Sequence, residues 1–150
     1  MSWILRRYFP EWAAIALRVA LGAVFMTHGW DKLTGPLGTP LGFNIESWGW
    51  PYPVVWAWGV ALIEFFGGLL IIVGLLTRFA AAFIAGVMGV AILKVKFASG
   101  FVGGFELDFA LLMIAIALVF CGGGRVSVDR DVLGWGAPPL RSRVGETPYD

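Results

Sequence analysis

Residues 54–97 decide the fold, and they read VVWAWGVALIEFFGGLLIIVGLLTRFAAAFIAGVMGVAILKVKF. Two apolar runs, residues 54–76 and residues 79–97, are separated only by Thr77 and Arg78. A helix needs about 20 mostly apolar residues to cross the hydrocarbon core of a bilayer, and each run comes close to that length. Because a short link makes consecutive helices antiparallel, this stretch predicts a transmembrane helical hairpin.

Two further apolar segments, residues 12–30 and residues 105–121, lie on either side of the hairpin. The chain is 59% hydrophobic and 14% charged, against roughly 45–50% and 25% in soluble domains. We therefore expect an all-α integral membrane protein, a four-helix up-down bundle over residues 1–131, followed by a polar, flexible cytoplasmic tail over residues 132–150. The formal net charge of +1 gives no reason to expect a nucleic-acid partner.

The segment between the first two predicted helices, residues 34–53, is rich in glycine and proline and cannot form a continuous helix. It also carries Trp48, Trp50 and Tyr52, and such aromatic side chains favour the headgroup level of a bilayer. We expect this loop to lie on the outer membrane surface.

The distribution of basic residues predicts that both chain termini are cytoplasmic, because loops rich in lysine and arginine stay on that side. With this orientation the outer side holds Lys32, Lys94 and Lys96. The cytoplasmic side then holds Arg6, Arg7, Arg78, Arg125, Arg130, Arg141 and Arg143.

Ionisable residues within a membrane are costly and mark candidate functional sites. Arg18 shares one helix stripe with Gly22, Gly29 and Lys32, and this small, polar stripe is expected to face the protein interior. Glu64 lies near the middle of the second helix and must be protonated or have a partner. We predict a structural ion pair between Arg18 and Glu64, with His28 and Lys94 as other candidate partners of the carboxylate.

A polar site in the outer half of the bundle is the main functional prediction, formed by His28, Glu64, Lys94 and Glu106. It would bind a quinone headgroup, with apolar walls from Phe25, Phe101 and Phe105. Glu106 and Asp108 lie about 200° apart on a helix, so both can face the site only if Gly103 and Gly104 unwind the helix start. The competing interpretation is that Arg18 extends to the inner interface and Glu64 is a neutral core residue. No catalytic residue can be assigned.

Cysteine and histidine are too scarce for most redox centres, since the chain has one of each. We expect no disulfide, no metal site and no covalent cofactor. Electron transfer would require a bound quinone or a partner's cofactor.

Small residues on two of the helices predict close helix packing. They are Gly67, Gly68 and Gly74 on the second helix, and the pairs Ala82/Gly86 and Ala85/Gly89 on the third.

Four elements together make the chain resemble the DoxX family of small bacterial and archaeal membrane proteins. They are Arg18-x3-Gly22-x6-Gly29-x2-Lys32, Glu64-x2-Gly67-Gly68-x5-Gly74-x2-Thr77-Arg78, Gly103-Gly104-Phe105-Glu106 and Gly122-x-Gly124-Arg125-x-Ser127-x-Asp129. The resemblance implies a four-helix fold in the cytoplasmic (inner) membrane of a bacterium or archaeon. It also implies a link to redox chemistry, because some members resemble the small subunit of thiosulfate:quinone oxidoreductase and others associate with superoxide dismutase and a thiosulfate sulfurtransferase.

Three functional hypotheses follow. The first is a membrane subunit of a respiratory or sulfur and oxidative-stress redox system, binding a quinone or a small sulfur species and contacting other membrane or redox proteins. The second is a non-catalytic anchor or assembly subunit of a larger complex. The third is a small proton-coupled transporter in which Glu64 takes up and releases a proton. A homo-oligomer is compatible with each of the three.

Overall fold

The computed structural model describes residues 2–34, 49–124, 126–132 and 134, with side chains from residue 12 onward. Five α-helices are present in these ranges: α1 Ser2–Thr34, α2 Pro53–Val73, α3 Thr77–Val90, α4 Glu106–Cys121 and α5 Val128–Asp131. Four segments are long and apolar enough to span a membrane: Trp12–Thr34, Pro53–Val73, Thr77–Ser99 and Phe101–Cys121. The predicted all-α, four-helix membrane architecture is confirmed.

The α2–α3 hairpin turns at Gly74, a few residues earlier than the apolar pattern predicts. Gly74 has the left-handed conformation (φ 79°) and its N–H donates to the carbonyls of Leu70 and Ile71. This is a common way to end a helix, because glycine tolerates the left-handed region. Leu76 also has a positive φ of 50° and precedes the first residue of α3. The two helices are therefore joined by a tight turn and run antiparallel.

Helices α1 and α2 pack backbone against backbone at glycines. A Cβ added to Gly68 would lie 2.5 Å from the Met26 nitrogen, and one added to Gly22 would lie 2.7 Å from the Gly68 carbonyl oxygen. No side chain larger than hydrogen fits at such a crossing. The interior stripe predicted for α1 is observed, since Arg18, Gly22 and Gly29 are buried.

The small residues of α3 do not share this role. A Cβ added to Gly86 or Gly89 would meet nothing within 4 Å, so neither glycine is needed for a close helix contact. The prediction of close packing is wrong for these two positions.

The connection from α3 to α4 is irregular. After α3 the chain forms a π-helical turn at Ala91–Lys96 and a 3-10 turn at Phe97–Ser99. The backbone is then non-helical at Val102 and Gly103. The break that the glycines predict is present, but it ends before Glu106, where the regular turns of α4 begin.

The chain after α4 returns to the α2–α3 turn, where the Asp129 N–H donates to the Gly74 carbonyl at 2.9 Å. Of the predicted surface loop, residues 35–48 with Trp48 lie outside the described residues. Most of the predicted tail, residues 135–150, also lies outside them. The two-part domain division and the cytoplasmic placement of both termini stay predictions.

Candidate functional site

A polar cavity of about 220 Å³ lies between the four membrane helices. Its polar lining comes from His28 and Lys32 on α1, Glu64 on α2, Lys96 at the end of the π-helical turn, and Asp108 on α4. The remaining lining is apolar: Val24, Phe25, Val87, Met88, Ala91, Val95, Leu107 and Leu111. Each of the four helical segments thus contributes to one partly open space with both polar and apolar walls.

Glu64 and Lys32 form the more deeply buried ion pair of the cavity. The Lys32 Nζ donates to both carboxylate oxygens of Glu64, and the two side chains are 17% and 3% exposed, Lys32 first. Glu64 lies on the buried face of α2 together with Ala57, Ala61 and Gly68. The small neighbours leave room for the lysine to reach the carboxylate, which meets the need of a buried charge for a partner.

Lys96 and Asp108 form the second ion pair, with a distance of 2.7 Å between Nζ and Oδ2. Asp108 lies in the first turn of α4, where the unpaired backbone N–H groups favour a negative charge. The Lys96 side chain is 44% exposed and that of Asp108 is 11% exposed, so this pair lies nearer the rim of the cavity.

The charges around the cavity balance. Two lysines face two carboxylates, and His28 adds a further polar side chain. His28 is exposed and also borders a surface recess with Trp30, Asp31 and Phe65. A balanced set of charges with spare donor and acceptor capacity suits a neutral polar ligand better than a strongly charged one.

The predicted ion pair of Arg18 with Glu64 is not present. The Arg18 guanidinium donates instead to four backbone carbonyls, those of Ile71, Ile72, Gly123 and Val126. Ile71 lies about 10 Å beyond Glu64 along α2, at 1.5 Å per residue. The last four carbonyls of a helix receive no regular i+4 donor within the helix, so those of Ile71 and Ile72 can accept from the guanidinium. Arg18 is 5% exposed, and its extension to the inner interface stays a prediction.

Two of the four residues predicted to line the cavity do line it, and in place of the other two the structure has residues two positions further along the chain. His28 and Glu64 line the cavity, whereas Lys94 and Glu106 are exposed and do not. The residues found in their place are Lys96 and Asp108.

The helical period explains the replacement on α4, but not the one at Lys96. Ile84, Met88 and Ile92 are buried, but Lys96 ends the π-helical turn Ala91–Lys96, where the α-helical period no longer applies. On α4 the buried positions are Asp108, Leu111, Ala115 and Leu118, a spacing of three and four that excludes Glu106. The sequence predicts that Lys32 lies on the interior stripe of α1. This position alone makes Lys32 a candidate partner for Glu64, which the prediction did not include.

Only one of the three predicted aromatic walls is in place. Phe25 lines the cavity and is 2% exposed. Phe101 and Phe105 pack edge to face against each other with ring centroids 5.3 Å apart, in the irregular connection outside the cavity. Within the described ranges, no three His, Cys, Asp or Glu side chains are grouped so that they could hold a metal ion.

Comparisons with known proteins agree on one family. The DoxX family model matches residues 13–97 of the chain. The chain is 35% identical over 119 residues to a protein described as putative oxidoreductase CatD of Bacillus subtilis (strain 168), covering 79% of this chain and 86% of the relative. It is 33% identical over 126 residues to inner membrane protein YqjF of Escherichia coli (strain K12), covering 77% of this chain and 88% of the relative. No solved structure matches the chain significantly.

Proposed function

The chain belongs to the DoxX family, and from this premise we propose that it is a quinone-binding membrane subunit of a respiratory or sulfur and oxidative-stress redox system. It is a multi-pass membrane protein, and we place it in the bacterial cytoplasmic (inner) membrane. Two names support the proposal: one relative is described as a putative oxidoreductase and another as an inner membrane protein.

The polar cavity is the observation that carries the proposal. Its volume of about 220 Å³ exceeds the ~150 Å³ that suffices for a benzene ring, so one substituted six-membered ring fits. The ammonium groups of Lys32 and Lys96 border this space and are suitable donors to the carbonyl oxygens of a quinone. Phe25 and Leu111 supply apolar walls for the ring faces.

The acidic residues and His28 match the proton requirement of quinone chemistry. Reduction of a quinone to the hydroquinone takes up two electrons and two protons, one proton at each carbonyl oxygen. Glu64, Asp108 and His28 all border the cavity, and each type of side chain can carry a proton. The electrons would come from the redox cofactor of a partner protein, because the chain has neither a C-x-x-C motif nor a pair of histidines.

Matched lysine variants test the proposal. In lipid nanodiscs, the wild-type protein should bind a quinone that has no hydrocarbon tail. Lys96→Met should weaken this binding about tenfold, equivalent to 1.4 kcal/mol, because a charged hydrogen bond is lost. Lys94→Met is the control: Lys94 lies two positions away, is exposed and does not line the cavity, so its loss should leave binding unchanged.

The same experiment separates the competing functions. If the protein were a non-catalytic assembly subunit, neither the wild type nor the lysine variants would bind the quinone. A proton-coupled transporter would move protons in liposomes, and Glu64→Gln would abolish that movement. Absence of quinone binding by the wild type, or equal losses in the two lysine variants, would contradict the proposal.

A further inference from the structure

A second, apolar cavity of about 330 Å³ lies between α2 and α3. We call it the α2–α3 groove. Residues of α2 and α3 form its floor and sides, and Trp50 and Trp56 border it. The other lining residues are Gly59, Val60, Ile63, Phe83, Gly86, Val87, Val90 and Ala91. By scaling from the ~150 Å³ needed for six carbons of benzene, the groove holds on the order of ten carbon atoms.

Two glycines on neighbouring helices keep the groove open. A Cβ added to Gly59 on α2 or to Gly86 on α3 would meet nothing within 4 Å, although both residues line the groove. These glycines are therefore not required by helix packing, in contrast to Gly22 and Gly68 at the α1–α2 crossing. Their effect is to leave a channel where larger side chains would fill the space.

The aromatic wall of the groove is held in position. The Trp56 indole donates to the Pro51 carbonyl at 3.1 Å, and its ring packs edge to face on Trp50 with centroids 5.1 Å apart. Both contacts restrict the rotamer of Trp56, so the groove has a defined shape.

The α2–α3 groove and the polar cavity lie next to each other. Val87 and Ala91 line both spaces. On α2 the consecutive residues Ile63 and Glu64 line the groove and the cavity, respectively. Ala91 also begins the π-helical turn, a widening of the helix that is frequent at functional sites. The two spaces are therefore neighbours, and a single ligand that occupied both would need a polar head and an apolar chain.

We propose that the α2–α3 groove binds the isoprenoid chain of a quinone whose ring occupies the polar cavity, and that the ligand enters from the bilayer between α2 and α3. The inference rests on the proposed function and adds the way in which the ligand is recognised and admitted. Lipid tails are as apolar as the groove, so the chain gains packing against fixed aromatic side chains and not hydrophobic burial. The groove therefore orients the ligand and favours quinones that carry an isoprenoid tail.

A phospholipid is a poorer occupant on electrostatic grounds. Its phosphate carries a negative charge, whereas the cavity next to the groove contains two lysines already paired with Glu64 and Asp108. A neutral quinone ring needs no additional counter-charge, and its size matches the cavity volume of about 220 Å³.

Filling the groove tests the inference. Gly86→Leu places a side chain in the groove without a predicted collision, since a Cβ there meets nothing within 4 Å. Gly89→Leu is the matched control, because it lies on the same helix, is equally open at its Cβ and does not line the groove. Dissociation constants are measured in detergent solution for a quinone with several isoprene units and for the tailless quinone.

The wild type should bind the tailed quinone more tightly than the tailless one. Gly86→Leu should weaken binding of the tailed quinone about tenfold and leave that of the tailless quinone unchanged, and Gly89→Leu should change neither. Equal wild-type affinities for the two quinones, equal effects of the two variants, or loss of copurified phospholipid without loss of tailed quinone would overturn the inference. If the tailless quinone still binds in a Lys96-dependent way, the proposed function survives that failure; if neither quinone binds the wild type, both fall.

Discussion

The two ends of the helix bundle hold their cationic side chains with different hydrogen-bond acceptors. At one end, Arg18 donates to backbone carbonyls of α2 and of the segment after α4. At the other, Lys32 and Lys96 donate to the carboxylates of Glu64 and Asp108. The first end joins backbone segments that are far apart in the chain, whereas the second joins side chains around an open space.

The packing is also tighter at the Arg18 end than around the lysine–carboxylate pairs. A Cβ added to Gly74 would lie 2.6 Å from the Arg18 guanidinium carbon, and one added to Gly123 would lie 2.7 Å from the Ser127 Cβ. At the opposite end the lysine–carboxylate pairs border a cavity of about 220 Å³. The comparison teaches that an ionisable residue in a membrane helix is not by itself evidence of a ligand site. Charges held by backbone groups in a closed environment stabilise the fold, and charges paired across a cavity are available to a ligand.

The largest effect is expected at Arg18. Arg18→Met would remove the side-chain donor to the carbonyls of Ile71, Ile72, Gly123 and Val126. The Ile71 carbonyl keeps the Gly74 N–H as a donor, and each buried carbonyl left without one costs about 1–3 kcal/mol before relaxation. We expect the free energy of unfolding in detergent to fall by on the order of 4 kcal/mol. The control Arg78→Met, at an exposed arginine, should cost less than about 1 kcal/mol. Similar losses in both variants would show that water replaces the guanidinium and that this end is not closed.

A smaller loss of unfolding free energy is expected on substitution of Glu64, and a second substitution should restore most of it. Glu64→Leu leaves the Lys32 ammonium, 17% exposed, without its carboxylate and should cost about 2–3 kcal/mol. The double variant Glu64→Leu/Lys32→Met should recover most of that stability, because apolar residues often replace a buried ion pair at little cost.

A double-mutant cycle on the same unfolding free energies measures this coupling, which should exceed about 1 kcal/mol. A double variant as unstable as the sum of the two single variants would contradict the view that this end depends on a replaceable side-chain pair. No equivalent rescue exists at Arg18, whose hydrogen-bond acceptors are backbone carbonyls.

The smallest effect is expected at Asp129, which lies at the same end of the bundle as Arg18. Its two carboxylate oxygens accept from the backbone N–H groups of Leu76 and Thr77 at the start of α3. Asp129→Asn keeps one acceptor and loses the charge, so it should reduce the free energy of unfolding by about 1 kcal/mol. Asp131→Asn, at an exposed position two residues away, should stay within about 0.5 kcal/mol of the wild type. Equal losses of unfolding free energy in the two variants would mean that the hydrogen bonds from Leu76 and Thr77 to Asp129 do not stabilise the Arg18 end of the bundle.

Sequence reasoning located the candidate site more accurately than it identified the residues of the site. The helix count followed from hydropathy, and two of the four proposed cavity residues, His28 and Glu64, do line the cavity. Membrane depth does not distinguish Lys94 from Lys96 or Glu106 from Asp108, because residues two positions apart differ by only about 3 Å along a helix axis. The helical period of α4 favours Asp108 over Glu106, whereas Lys96 lies in a π-helical turn that the sequence pattern does not reveal.

The partner of Arg18 and the α2–α3 groove could not have been predicted in this way. The acceptors of Arg18 are carbonyl oxygens, which every residue carries, so no pattern of side chains marks them. Gly86 appeared to be a packing glycine, yet a Cβ there meets nothing within 4 Å. Whether a glycine admits a neighbouring helix or leaves a groove depends on where that helix lies.

Hydropathy and charge in the linear chain are sufficient to establish a four-helix membrane protein with a polar interior stripe on α1, because insertion into a bilayer depends on the length and polarity of local segments. The pairing of Glu64 with Lys32, the capture of Arg18 by helix-end carbonyls and the shared lining of the groove and the cavity at Val87 and Ala91 required the folded chain. Each depends on the rotation and depth of one helix relative to another, and these are set by contacts between residues distant in sequence, such as the crossing of Gly22 and Gly68.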